Sequence, residues 1–229
     1  TELALLCQRA ENEFVRVQSG IMDQYASLLC REGSALLIDC RSLASEPVPL
    51  DLETAGLRLV VCDTRVKRRL AATGYNQRRA TCTQAANYLG IPQLRDATPD
   101  DLTRLSGETL QRARHVVTEN ARVLAGVAAL RRGDFGAFGQ LMWESHASLR
   151  DDYAVSTPEL DAFVEQARHV GALGARLTGA GFGGCAIALI ASDKTETLNR
   201  TVTELFAARG YQAPAWYAFS PAAGAEVAR

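Results

Sequence analysis

The apolar run Cys185-Ala186-Ile187-Ala188-Leu189-Ile190 follows directly on a turn with four glycines in six residues, Gly179-Ala180-Gly181-Phe182-Gly183-Gly184. Positions 179, 181 and 184 satisfy G-x-G-x-x-G. The dinucleotide-binding version of that pattern needs a helix opening straight after the glycines, because the helix N-terminus holds the pyrophosphate. Here a β-rich segment follows, so a Rossmann reading is rejected. Two readings stand: an ordinary turn, or backbone forced into unusual φ/ψ by close packing at a site.

Around this turn the chain ends as strand (175–178), turn, strand (185–190), helix (195–209) and strand (215–219). That order predicts a layered α+β fold, with a mixed or antiparallel sheet covered by helices, and excludes a doubly wound one. Upstream, helices are expected over 3–15, 21–31 and 75–89, and strands over 35–40, 48–50 and 57–62. The first helix would bury positions 3, 6, 10 and 14. A long helix carries an apolar stripe at Leu110, Ala113, Val117, Leu124 and Val127. Thr98-Pro99 and Thr157-Pro158 read as helix starts, and Gly133-Asp134 as a stop followed by a new cap.

Composition narrows the function. Twenty-five Lys+Arg against 26 Asp+Glu leave a net charge of −1, which removes the electrostatic drive for general nucleic-acid binding. Apolar runs such as Cys185–Ala191 fall far short of the roughly 20 residues that cross a bilayer. Six scattered Cys and three separate His residues show no metal-ligand spacing, so buried free thiols in a reducing cytoplasm are expected. The chain opens on Thr1 without Met or signal pattern, which reads as a truncated or processed start.

Four local features could carry chemistry. Asp23, near a helix start after Gly20, either complements the helix dipole or is a carboxylate placed to accept a hydroxyl proton. Residues 64–94 contain no acid but six bases (Arg65, Lys67, Arg68, Arg69, Arg78, Arg79), either a solvated basic face or an anion-attracting rim. Tyr75 lies within that stretch. Asn120, beside Glu119 on the apolar stripe, is expected to be buried and satisfied by structural partners.

Several segments together carry a resemblance: Cys7 to Phe14, Gly20-Ile21-Met22-Asp23-Gln24, Leu37 to Leu43, and His115 to Asn120. Further along are Ser145-His146-Ala147-Ser148-Leu149-Arg150-Asp151-Asp152-Tyr153 and Thr178 to Cys185. In this order, over nearly the whole chain, they resemble the galactokinases, members of the GHMP small-molecule kinases. The resemblance implies a GHMP-kinase-like fold with a ferredoxin-like carboxyl-terminal domain. It implies transfer of the ATP γ-phosphoryl group to the C1 hydroxyl of α-D-galactose by a cytoplasmic monomer. Asp23 falls on the catalytic aspartate, Gly20 and Tyr75 on sugar-contacting positions, and Glu11 on an acid that holds Mg²⁺. The turn with Gly179, Gly181, Gly183 and Gly184 would lie beside the phosphates.

The sequence departs from the family in two ways. Gln18-Ser19 replaces a Pro-Cys often found before Gly-Ile-Met-Asp. The upstream sugar signature, catalytic Arg and phosphate loop are missing. Residues 1–60 are therefore expected to be the tail of the amino-terminal kinase domain, and 61–229 the carboxyl-terminal domain. The chain alone should be inactive or weak, with the missing amino-terminal part as a partner. The rivals are a related sugar kinase acting on N-acetylgalactosamine or arabinose, and a non-catalytic galactose-sensing or partner-binding protein.

Overall fold

The computed structural model describes residues 1–15, 19–66 and 71–226. Helix α1 (Glu2–Arg9) continues into a π-helical segment, Ala10–Val15, and α2 (Met22–Leu29) follows. Strands β1 (Ser34–Ile38) and β2 (Ser45–Pro49) form an antiparallel hairpin, and β3 (Leu57–Asp63) begins the main sheet. Three long helices come next: α3 (Ala71–Leu89), α4 (Gly107–Arg131) and α5 (Phe135–Asp151). Then follow α6 (Pro158–Val170), β4 (Gly174–Leu177), β5 (Cys185–Ala191), α7 (Thr195–Ala208) and β6 (Ala215–Phe219).

The main sheet has the order β4-β5-β3-β6, and every pairing is antiparallel. This order, with α6 before β4 and α7 before β6, is the ferredoxin-like arrangement; α3, α4 and α5 are inserted after its first strand. Side-chain alternation along β5 sorts the layers. Ala186, Ala188 and Ile190 join the core with Leu160 and Phe163 of α6 and Leu198, Val202 and Phe206 of α7. Ile187 and Leu189 face the other way, toward Leu52, Phe138 and Met142.

Two caps act as their sequence suggests. The Asp134 carboxylate accepts from Ala137 N at 2.9 Å, and Thr157 Oγ1 accepts from Leu160 N at 3.4 Å. Thr98-Pro99 does not open the long helix. Thr98 donates its amide and its hydroxyl to the Asp101 carboxylate, both at 2.8 Å, and this polarity closes a single 3₁₀ turn, Asp100–Arg104. Helix α4 starts only after the extended Leu105 and Ser106.

The apolar face expected for the first helix is not buried. Leu3 is 55%, Leu6 61% and Phe14 89% exposed, and Ala4 packs instead against Ile21 and Tyr25. The α4 stripe likewise surfaces at Leu124, which is 65% exposed. Of the cysteines only Cys62 is buried, and Cys7 and Cys40 are exposed, which corrects the expectation of buried thiols. Among the described residues no helix is long and apolar enough to cross a membrane.

The closest backbone approach joins α5 to the free edge of β4. A Cβ at Gly139 would stand 2.3 Å from Leu173 O, and one at Gly174 would stand 2.4 Å from Gly139 O. Gly139→Ala should therefore lower stability by about 2 kcal/mol or more, as overpacking against rigid backbone does. Gly136→Ala on the same helix has only an ordinary 3.6 Å neighbour and should leave the urea midpoint unchanged or slightly raised. Equal midpoints for the two variants would contradict the close approach.

Candidate active site

Gly20 and Tyr75 are 55 positions apart in the chain but line one pocket of about 410 Å³, with Gln8, Ser19, Arg79, Cys82, Val116 and Tyr153. Among the described residues nothing requires a glycine at position 20. No described atom lies within 4 Å of where its Cβ would stand, and its φ is not positive. Glu11, in the π-helical segment, is tied to the same loop, because Ser19 Oγ donates to its Oε2 at 2.6 Å. The residue that departs from the family's Pro-Cys thus supports the acid. Residues 16–18, including Gln18, lie outside the described residues.

Mg²⁺ takes oxygen ligands and is commonly held by one or two carboxylates together with substrate phosphates. Glu11, with one oxygen on Ser19, fits that type of donor. Among the described residues no group of three or more acidic, His or Cys side chains could hold a metal without outside ligands.

Asp23 lies in the first turn of α2, exposed, with no hydrogen bond or ion pair among the described residues. Its neighbour Met22 reaches a groove of about 470 Å³ that Thr178 and Gly179 also line. The start of α2 therefore lies between the pocket with Tyr75 and the groove with the glycine turn. Asp23 itself lines neither.

The glycine turn joins β4 to β5 with five residues at positive φ: Gly179 (74°), Gly181 (77°), Phe182 (58°), Gly183 (112°) and Gly184 (75°). Two of these glycines are demanded by the protein's own packing. A Cβ at Gly181 would stand 2.4 Å from Val155 O, and one at Gly183 would stand 2.9 Å from Val66. Gly184 O accepts both the amide and the hydroxyl of Thr64, at 3.0 and 2.8 Å. The Phe182 ring reaches Gly74, where a Cβ would stand 2.7 Å from its tip, so the turn abuts the helix next to Tyr75.

Beside Gly179 lies a charged cluster. Glu119 binds Arg122 Nε at 2.7 Å, Arg176 Nη1 at 3.2 Å and the Ser145 hydroxyl. Burial works to raise its carboxyl, but Ser145 and the two guanidiniums outweigh it and hold it below the ordinary range.

The basic stretch is not uniformly solvated. Arg78 is nearly buried, donating from Nε to Tyr153 O at 2.7 Å and from Nη2 to Ala154 O at 3.0 Å, while Arg79 is exposed at the pocket. Lys67, Arg68 and Arg69 lie outside the described residues. Asn120 is exposed and lines a third cavity, of about 770 Å³, between the hairpin and α3–α4, which corrects the expectation that it is buried.

Residues 145–153 carry part of the resemblance but no role in the sequence. In the fold they bind at long range. Ser148 Oγ meets His115 Nδ1 at 3.0 Å, and the Tyr153 ring lies 4.4 Å from that imidazole. His146 reaches both β4 and α6. No local periodicity signals this; the only hint is a cluster of polar residues on the buried face of an otherwise apolar helix.

Residues 127–208 match the family described as "GHMP kinases C terminal". The galactokinase of Streptomyces coelicolor is 47% identical over 98% of this chain and 59% of its own length. That of Roseiflexus is 49% identical over 90% of this chain and 54% of its own length. The crystal structure of Lactococcus lactis galactokinase complexed with galactose superposes with a TM-score of 0.90 at 35% identity, over 97% of this chain and 60% of that one. The chain is similar to the galactokinases, with its residues 127–208 similar to the carboxyl-terminal domain of GHMP kinases, and it spans a little under six-tenths of the length of the curated relatives it matches.

Burial lowers the His115 imidazole from its ordinary 6.5 to about 4. Between those values the unfolded chain binds the proton and the folded protein does not, so stability falls as pH is lowered through this window. The loss reaches up to about 3 kcal/mol by pH 4. Urea unfolding from pH 7 to 4 should show this slope, and His115→Asn should flatten it. An unchanged slope in the variant would assign it to other groups.

Proposed function

We propose that this chain supplies the catalytic carboxylate and one wall of the sugar pocket of a galactokinase, which makes galactose 1-phosphate from α-D-galactose and ATP. The observation that carries the reading is the pocket shared by Gly20 and Tyr75 beside the first turn of α2. Gly20 is a glycine that nothing among the described residues requires, at a spot where a ligand could press against the backbone. The similarity to a galactokinase structure bearing galactose supports the choice of sugar.

In this reading the C1 hydroxyl oxygen attacks the γ-phosphorus, the bond to the β-phosphate bridging oxygen breaks, and ADP leaves. Asp23 accepts the hydroxyl proton, and its carboxylate is free to do so because no described residue occupies it. Gly20 and Tyr75 orient the sugar. Backbone amides of the Gly179–Gly184 turn lie beside the phosphates, and Gly181 and Gly183 give that turn its fixed shape. Glu11, supported by Ser19, is the carboxylate that would hold Mg²⁺, whose charge offsets that of the phosphates when bound. Residues 1–60 complete an amino-terminal kinase domain, and 61–229 form the carboxyl-terminal one. The remaining length of a galactokinase is the expected partner for turnover.

The test is a coupled ADP-release assay in a protein carrying this chain with the remaining length of a galactokinase. Galactose, N-acetylgalactosamine and arabinose are compared, and turnover confined to either of the last two would replace galactose. Asp23→Asn should lower kcat by about 10² to 10⁴ with KM for galactose little changed. Undiminished turnover would remove Asp23 from the chemistry. Gly20→Ala should leave the unfolding free energy within about 0.5 kcal/mol while raising KM for the sugar. Sugar binding by calorimetry without turnover in the intact protein would favour a sensor.

A further inference from the structure

The segment Ser145–Tyr153 is unexplained by the proposed reaction, yet its His146 is only 3% exposed and both ring nitrogens are engaged. Nδ1 accepts the amide of Leu177 at 3.3 Å, and Nε2 lies 3.1 Å from Asp161 Oδ1. Leu177 is the last residue of β4, an edge strand. The next amide, Thr178 N, bonds inward to Cys185 O at 3.0 Å. Successive strand amides alternate in direction, so the Leu177 amide points to the outer edge, where α5 covers it. Without His146 it would be a buried donor lacking a partner.

The same ring links the other limb of the glycine turn. Asp161 also accepts from Ser156 Oγ, and the preceding Val155 O accepts the amide of Phe182 at 2.7 Å. Burial acts to raise the Asp161 carboxyl, but the bonds from His146 and Ser156 outweigh it and keep the carboxyl below its ordinary value. An ionised carboxylate only accepts, so Nε2 donates and the neutral ring carries its proton there. Arg150 and Asp151 are the other charged groups acting on this pair.

We infer that His146 is a positioning residue that sets the shape of the glycine turn by holding the amide of Leu177 before it, while Asp161 at Nε2 fixes the tautomer that leaves Nδ1 free to accept. Its consequence for phosphoryl transfer rests on the reading that this turn lies beside the phosphates. The ring acts as an acceptor at Nδ1, an atom attached directly to Cγ. An Asn at 146 can place an amide oxygen near that point. A Gln reaches the Nε2 position instead and leaves Leu177 without an acceptor.

Amide hydrogen exchange by NMR on the unliganded 229-residue chain tests this. His146→Gln should raise exchange at Leu177 and across 178–184 by about tenfold, with β5 and α7 unaffected. His146→Asn should stay within about threefold of the parent. Equal loss in both variants, or a rise spread over the whole sheet, would make His146 an ordinary core residue and overturn the inference. Should the Gln variant fail to fold, ¹⁵N spectra of the parent imidazole decide. A protonated Nε2 and bare Nδ1 support the inference, and the opposite tautomer overturns it. The catalytic reading is tested separately in the protein carrying the remaining length. There His146→Gln should raise KM for ATP more than KM for galactose, with Asn restoring it. Exchange as expected but an unmoved KM for ATP would leave the positioning role intact and remove the turn from the phosphates.

Discussion

The contact between α5 and the free edge of β4 governs how the rest of the molecule is placed. Neither Gly139 nor Gly174 has room for a methyl group, so helix and strand backbones touch directly. Such an approach leaves outward-pointing strand amides with no access to water, and each must be met by a side chain of the covering helix. His146 meets one of them two helical turns after Gly139. Because α5 is fixed against the sheet in this way, Ser145 can reach Glu119 on α4, and Ser148 can reach His115. The long helices thereby bring Cys82, Val116 and Tyr153 to the pocket that Gly20 and Tyr75 share.

The glycine turn combines two demands that sequence alone could not separate. Gly181 and Gly183 have no space because Val155 and Val66 press on them. Gly179 lines an open groove, and Phe182 takes a left-handed conformation despite its side chain. Holding a ring-bearing residue there costs free energy that the surrounding contacts must offset. Here the Phe182 amide bonds to Val155, its ring seats against Gly74, and the Arg78 guanidinium lies 5.8 Å from the ring centre. These contacts hold the backbone of the turn in one arrangement.

Much of the fold was legible because its signals are local. The Cys185 run could only be a strand, and Asp134 and Thr157 cap helices through bonds three residues long. The misreadings have separate causes. Thr98 has the composition of a cap, but a competing carboxylate three residues on reverses its hydrogen-bond direction. Leu3, Leu6 and Phe14 recur at helical spacing, yet the described chain offers them no surface to cover. Of the candidate site residues, Gly20 and Tyr75, singled out through family words, share one pocket, whereas Asp23 and the glycine turn do not line it. The meeting of Gly20 and Tyr75 depends on packing between elements 55 positions apart, to which periodicity is blind. His146 shows the same limit, since its partners lie 15 and 31 positions away.

Residues 221–225 are sewn to the end of α2 and the loop after it. Gly33 N binds Pro221 O, Gly224 N binds Cys30 O and Ala225 N binds Ser27 O, and the backbone of Leu28 leaves no space for a side chain at 224. The segment 221–225 is thus a seam that holds the helix bearing Asp23 onto the later half. Trimming the chain just beyond Phe219, or grafting bulk onto that tail, would unpick the stitching beneath the carboxylate without touching a single residue around it.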